Sequence, residues 1–252
     1  MSKKIIFLPD KQVKPNHKQE HLKWAGKLIT QESPDIVVDA GDHFDMPSLS
    51  TYDRGKKRAE GARYTRDIKA GNDALALMEE NIKRFKGEKH FTLGNHEQRI
   101  MRHVEAFPEL EGVLSYDDFD LTKYGWTVHP FLRPVKLNGV YFSHYFPKTA
   151  KGTVTANSSR IGAGSAELQI KANMCSCIAG HKQGFSYAEH PVGKVIHQSI
   201  IAGSFYQHDE HYLGFQGNDY WRGVLVLHFR NGRDPHFDIE RWSMWRLKEK
   251  YG

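Results

Sequence analysis

Three short apolar runs in the first half of the chain end alike, and this limits what the chain can fold into. "IIFL", Ile5–Leu8, stops at Pro9 and hands over to Asp10, Lys11 and Gln12. Ile36–Val38 opens "IVVDAGDHFD" and leads to Gly41, Asp42, His43 and Asp45, while "HFTLGNHE" leads to Gly94, Asn95, His96 and Glu97. Apolar runs of this length read as buried strands. Between them lie two amphipathic stretches. One covers 17–32 with Leu22, Ala25, Leu28 and Ile29 on one face; the other runs from about Asp67 to Phe85 with Ile68, Leu75, Leu77, Met78 and Ile82. Strand, helix, strand, helix, strand calls for parallel pairing through right-handed crossovers.

The second half reads as further strands in "GWTVHPF", "PVKLNG" and "VYFSHYF", then a helix in "SRIGAGSAELQIKANM". Strand, turn and strand follow in "SCIAGHKQGFSYAEH", and the β pattern continues through "GKVIHQSIIAGS" and "YWRGVLVLHFRNG", with hairpin-turn character in "RNGRD". The expected fold is α/β, with two packed β-sheets flanked by helices. No linker or repeat divides the 252 residues, so one domain over 1–252 is expected.

The polar clusters are the chemical content. Besides the three named, His144 follows "VYFS", and Gly180-His181-Lys182-Gln183 follows "SCIA". Ligands of α/β sheets gather at the carboxyl ends of strands. Glycine before a polar residue lets the backbone turn and approach closely. Asp, Asn and His are oxygen and nitrogen donors for divalent metals. A Gly-Asp or Gly-Asn pair alone marks an ordinary turn; five such clusters, each after an apolar run, point to one site.

In this order the clusters resemble the calcineurin-like metallophosphoesterases, whose pattern is Asp-x-His, Gly-Asp-x-x-Asp, Gly-Asn-His-Asp/Glu, a lone His, and Gly-His-x-His. Here these are "DKQ", "GDHFD", "GNHE", "SHYF" and "GHKQ", spanning Ile5 to about Gln183. "DMPSLSTYDRGKK", "GNHEQRI" and "YWRGVLVL" further resemble small phosphoesterases of bacteriophages and prophages. The resemblance implies a four-layer sandwich and two divalent ions sharing Asp42. One ion is held by Asn95, His144 and His181; the other by Asp10 and the positions of Gln12 and Gln183. It also implies a bridging hydroxide that attacks phosphorus. His96 becomes the general acid, oriented and kept protonated by Asp45. Glu97 and Arg99 fall in the ring behind the ligands, and Arg99, Lys182 and His43 are candidates for substrate contact.

The family has histidine where this chain has Gln12 and Gln183, and both departures fall on one metal. Three arrangements stay open: amide-oxygen ligation, a hydrogen bond to a metal-bound water, or a weak or empty first site. An all-oxygen site suits hard ions. Manganese is therefore the expected ion, ahead of magnesium, calcium, zinc or iron.

The substrate class has to come from elsewhere, because the fold hosts many phosphoesterases. Net charge is +6 and the pI about 9.1, which favours an anionic partner. "YDRGKKRAEGARYTR" sets Arg54, Lys56, Lys57, Arg58, Arg63 and Arg66 among Tyr52 and Tyr64, a pattern suited to single-stranded nucleic acid. A second aromatic stretch holds Tyr206, Tyr212, Phe215, Tyr220 and Trp221. The expectation is a phosphodiesterase acting on DNA or nucleotides. The alternatives are a phosphomonoesterase on small phosphates or phosphoproteins, or a nucleic-acid-binding protein with weakened catalysis. Cys175 and Cys177 read as two reduced thiols. No apolar run is long enough to span a membrane or form a secretory signal, so a cytoplasmic protein is expected, in the host cytoplasm if phage-encoded.

Overall fold

The computed structural model describes residues 3–146, 165–210, 218–230 and 235–252. Two mixed sheets pack face to face, with helices on both outer sides. The first sheet holds six strands. β1 (Lys3–Leu8), β2 (Ile36–Asp39), β3 (Glu88–Thr92) and β4 (Thr127–His129) lie parallel in that order. On the other side of β1 run β10 (Gly223–Phe229) and β11 (Phe237–Ser243), both antiparallel to their neighbours. The second sheet has the order β5 (Val135–Leu137), β6 (Val140–Ser143), β7 (Cys177–Ala179), β9 (Val195–Ala202) and β8 (Phe185–Val192). Its middle strands β6, β7 and β9 are parallel.

Strand alternation explains the layering. Ile5 and Phe7 of β1 enter the core between the sheets with Val38, Phe142, Ile178 and Ile200, and the Phe7 and Phe142 rings lie 5.9 Å apart across it. Ile6 and Leu8 point the opposite way, into the core under the helices. Both faces of β1 are buried, which is why "IIFL" carries no polar residue. Each such side chain removed from water contributes about 1.5–3 kcal/mol.

The helices follow the amphipathic reading with small shifts. α1 is Glu20–Glu32 and buries Leu22, Ala25, Leu28 and Ile29 as expected. It ends at Ser33, which takes a left-handed conformation before Pro34. α2 is Tyr64–Glu80, starting three residues before the expected Asp67 and stopping five short of Phe85. α3 (Arg99–Ala106) and α5 (Met244–Tyr251) lie outside the expected elements. α4 (Ala166–Asn173) covers the outer face of the second sheet, and its Gln169 amide donates to the carbonyls of Cys177 and Ile200. The first part of the expected "SRIGAGS…" helix and the "NGRD" turn lie outside the described residues, as do Tyr212 and Phe215. Among the described residues, no helix is long and apolar enough to cross a membrane.

The parallel strands of both sheets release their chains at one edge. There the loops bond to one another across the sandwich. The Gln12 amide donates to the Asp42 carbonyl at 2.7 Å, the Gly180 amide to the His144 carbonyl at 3.0 Å, and the Phe205 amide to the Asp10 carbonyl at 2.7 Å.

Candidate metal centre

Loops from four strands bring electron-rich atoms to one point. His144 Nε2 lies 2.9 Å from Asn95 Oδ1, 3.1 Å from His181 Nδ1 and 3.3 Å from Asp42 Oδ2. Asp42, His144 and His181 each offer a donor atom within 4.8 Å of the others. The opposite nitrogen of His144 sits 2.8 Å from the Ala40 carbonyl. A carbonyl only accepts, so Nδ1 carries a hydrogen, and Nε2 is the nitrogen that faces the cluster and would present its lone pair to a metal that displaced its proton.

Glycines permit this closeness at two places. A Cβ on Gly94 would stand 2.1 Å from Asp42 Oδ1, and one on Gly180 would stand 2.4 Å from Asp10 Oδ1. Neither contact is physically possible, so any side chain at either position would push a carboxylate away.

Charge at the cluster is held in balance by protons. Burial would lower the His144 pKa, but the Asp42 and Asp10 carboxylates raise it to about 9. Burial pushes Asp10 up to about 7, with Asp42 adding to the rise and His144 opposing it. Burial would also raise Asp42, yet His144 and His96 hold it well below the usual carboxylate range. His181 falls to about 3 through burial and the neighbouring His144. A divalent cation replaces such protons as the charge that holds buried carboxylates and imidazoles together.

Beside this cluster lies a more oxygen-rich corner. Asp10 Oδ1 accepts the His181 amide at 2.8 Å and lies 3.9 Å from His144 Nδ1. Asp10 Oδ2 and Gln12 Oε1 are buried without a hydrogen-bond partner. Unpaired buried oxygens cost free energy, and a cation would satisfy both. Gln12 itself adopts φ 42, a left-handed turn that brings its backbone under Asp42. Gln183 is held differently: its Oε1 accepts the Tyr206 hydroxyl at 2.8 Å. Its spacing from His181 suggested a ligand equal to Gln12, but one oxygen lone pair is already engaged across the loop.

His96 occupies the rim. Its Nδ1 is 2.7 Å from Asp45 Oδ1, and its Nε2 is 3.7 Å from Asp42 Oδ2. Burial lowers its pKa, but Asp42 outweighs this, with Asp45 helping and Arg99 opposing, for a net rise. Burial acts upward on Asp45, and its hydrogen bond with His96 brings it down to about 2. Arg99 has a role other than phosphate contact. Its Nη1 donates to the Asp45 carbonyl at 2.5 Å and the Met46 carbonyl at 3.2 Å, and Nη2 lies 3.2 Å from His96 Nε2. It fastens the loop that carries Asp45.

His43 is corrected outright. It is fully buried, with Nε2 2.9 Å from the Gly71 carbonyl of α2, and burial lowers its pKa to about 3. A side chain with no accessible surface cannot line a cleft. The cause is Asp42, whose φ of 46 turns the chain so that the next side chain faces α2. Lys182 stays on the surface of the site, lining a cavity that begins at Gln183.

Three supports stand behind the donors: Glu97, expected there from the sequence, and two ion pairs not expected from it. Glu97 is fully buried, and its carboxylate accepts the amides of Asp42 at 2.8 Å, Gly94 at 2.8 Å and Phe44 at 3.0 Å, locking the "GDHFD" and "GNHE" loops together. Lys11 and Asp39, both fully buried, pair at 2.6 Å beneath the cluster. Lys14 joins Glu210 at 2.6 Å and Asp45 at 3.6 Å. The signal for the second was present: two opposite charges inside otherwise apolar strand ends require each other.

Parts of the basic segment are also occupied. Tyr64 donates its hydroxyl to Asp118, and the Arg54 guanidinium stacks 5.5 Å from the Phe107 ring, so Tyr64 is not free to stack on a base. Tyr52 is 78% exposed, and Lys56, Lys57, Arg63 and Arg66 are exposed.

No protein-family model matches the chain. It is similar to "Gene 54 protein" of Mycobacterium phage D29, at 24% identity over 218 residues, covering 80% of this chain and 77% of that protein. A solved crystal structure aligns over 96% of this chain and 100% of its own at 12% identity, with a TM-score of 0.42.

Proposed function

We propose that the protein is a metal-dependent phosphoesterase of the metallophosphoesterase type, hydrolysing phosphodiester bonds in DNA or nucleotides. The observation that carries this is the convergence of Asp42, Asn95, His144 and His181 on one point, with the His96–Asp45 pair alongside. Asp42, Asn95, His144 and His181 would hold one divalent ion; Asp10 and Gln12, with Asp42, would hold a harder one such as Mn²⁺. When bound, such ions polarise phosphoryl oxygens and lower the pKa of water.

The remaining work belongs to the chain itself. Asp45 fixes the His96 ring, leaving Nε2 as the atom that holds a proton for the departing oxygen. Burial and Arg99 pull its pKa down while Asp42 and Asp45 pull it up, for a net rise that favours the imidazolium. Glu97 holds the Asp42 and Gly94 loops at fixed separation. The phage relative supports a phage-encoded protein working in the host cytoplasm.

The test compares bis(p-nitrophenyl) phosphate with p-nitrophenyl phosphate in Mn²⁺, Mg²⁺ and Zn²⁺. Faster diester turnover, greatest with Mn²⁺, is expected; faster monoester turnover refutes the diesterase reading. No hydrolysis with any metal refutes the enzyme reading. His96→Ala is expected to cost about 100-fold or more in kcat with metal content unchanged.

A further inference from the structure

The turn that carries His181 continues into a second feature. Lys182 and Gln183 line a cavity of about 690 Å³, within the size range of small-ligand pockets. Phe185, Tyr220 and Trp221 form an aromatic wall, and Ser186, Ile201 and Asp219 complete the lining. The Phe185 and Trp221 rings meet edge to face at 5.4 Å, and Tyr220 stands beside them 49% exposed. Gly184, at φ +84, lets the Tyr220 ring approach the backbone: a Cβ there would stand 2.9 Å from it. The exposed Arg241 of β11 lays its guanidinium 4.9 Å from the Phe185 ring centroid and 5.8 Å from that of Trp221. Flat aromatic surface with a cation on it, starting two residues from a metal-donor histidine, is what a planar ring attached to a phosphate requires.

We infer that this cavity is a nucleobase subsite: Tyr220 and Trp221 stack the base, the Arg241 guanidinium packs against it from the Phe185 and Trp221 rings, Lys182 meets the phosphate, and the linking phosphate lies toward His181. The inference rests on the phosphoester reading for the position of that phosphate, and on the cavity alone for the base. It assigns a job to the aromatic "NDYWRG" stretch, which the metal cluster does not use. It also accounts for the Tyr206 hydroxyl on Gln183, since that bond fixes the amide at the border between cluster and cavity.

Isothermal titration of the full chain with Mn²⁺ tests it. The probes are the phosphonate analogue of deoxyadenosine monophosphate and ethylphosphonic acid, both with carbon–phosphorus bonds that resist hydrolysis. The base-bearing probe is expected to bind at least about tenfold more tightly. Tyr220→Ala and Arg241→Gln should each weaken that probe by about five- to tenfold and leave ethylphosphonic acid and Mn²⁺ binding unchanged. A single-stranded deoxyadenosine tetramer as a third probe separates the two sources of a base: tighter binding than the mononucleotide analogue assigns the cavity to a strand, weaker binding to a free nucleotide. Equal affinity of the two phosphonates, no binding of the base-bearing one, or variants that weaken both alike would overturn the subsite. Diester hydrolysis measured on the same preparations keeps the questions apart: base-selective binding without hydrolysis leaves the subsite standing and removes the enzyme reading.

Discussion

Glu97→Gln isolates the one side chain that ties two donor loops together. The carboxylate accepts three buried amides: those of Asp42 and Gly94 on Oε2, and that of Phe44 on Oε1. The amide that replaces it has one oxygen. With that oxygen facing Asp42 and Gly94, its NH₂ group confronts the Phe44 N–H, donor against donor. One bond to a charged acceptor is lost, about 1.5–3 kcal/mol, and two weaken by becoming neutral. Some of this is returned, because burial and the nearby Asp42 raise the Glu97 pKa, so removing its charge relieves repulsion. The net cost is about 2–4 kcal/mol. For a chain of this size that is a drop of roughly 5–10 °C in Tm, read by circular dichroism at neutral pH. Asp42 and Asn95 are displaced with their loops, so Mn²⁺ affinity should fall about 10- to 100-fold by titration calorimetry. A variant with unchanged Tm and unchanged Mn²⁺ affinity would refute the claim that Glu97 locks the loops.

Other perturbations separate packing from chemistry. Gly94→Ala places a methyl against Asp42 Oδ1 and should abolish Mn²⁺ binding while the far-ultraviolet dichroism persists; retained binding would show that the loop tolerates the shift. His21 is fully buried, and burial lowers its pKa to about 3 from 6.5. The unfolded chain therefore takes up the proton first, so the His21 contribution is intact above about pH 6.5 and is lost at about 1.4 kcal/mol per pH unit as pH falls toward 3. His21→Gln should flatten the stability profile over that window in urea melts, and an unchanged slope would contradict the burial argument. Gln12→His should shift metal preference from Mn²⁺ toward Zn²⁺ on its own, because Gln183 is engaged by Tyr206. A shift that appears only when Gln183→His is added would place Gln183 among the ligands.

Much of the candidate site could be read in the sequence because its residues sit at strand ends, where local pattern is strong. The apolar runs before Asp10, Asp42, Asn95, His144 and His181 mark the strands, and the parallel order of β1, β2 and β3 places their ends at one edge. What sequence could not supply is non-local or conformational. The bond from Tyr206 to Gln183 joins residues in separate loops. The exclusion of His43 depends on one positive φ at Asp42. α3 spans only eight residues directly after a polar loop, with Ile100 its one buried residue, so it is too short to repeat the apolar spacing that reveals the thirteen-residue α1.

The central claim is that Asp42, Asn95, His144 and His181 surround a divalent ion. Crystals grown with Mn²⁺ and measured for anomalous scattering test it most directly. An anomalous peak bound by Asp42 Oδ2, Asn95 Oδ1, His144 Nε2 and His181 Nδ1 is the predicted result, with a second beside Asp10 and Gln12. Diffraction from Mn²⁺-saturated crystals with no peak among those four atoms would contradict it.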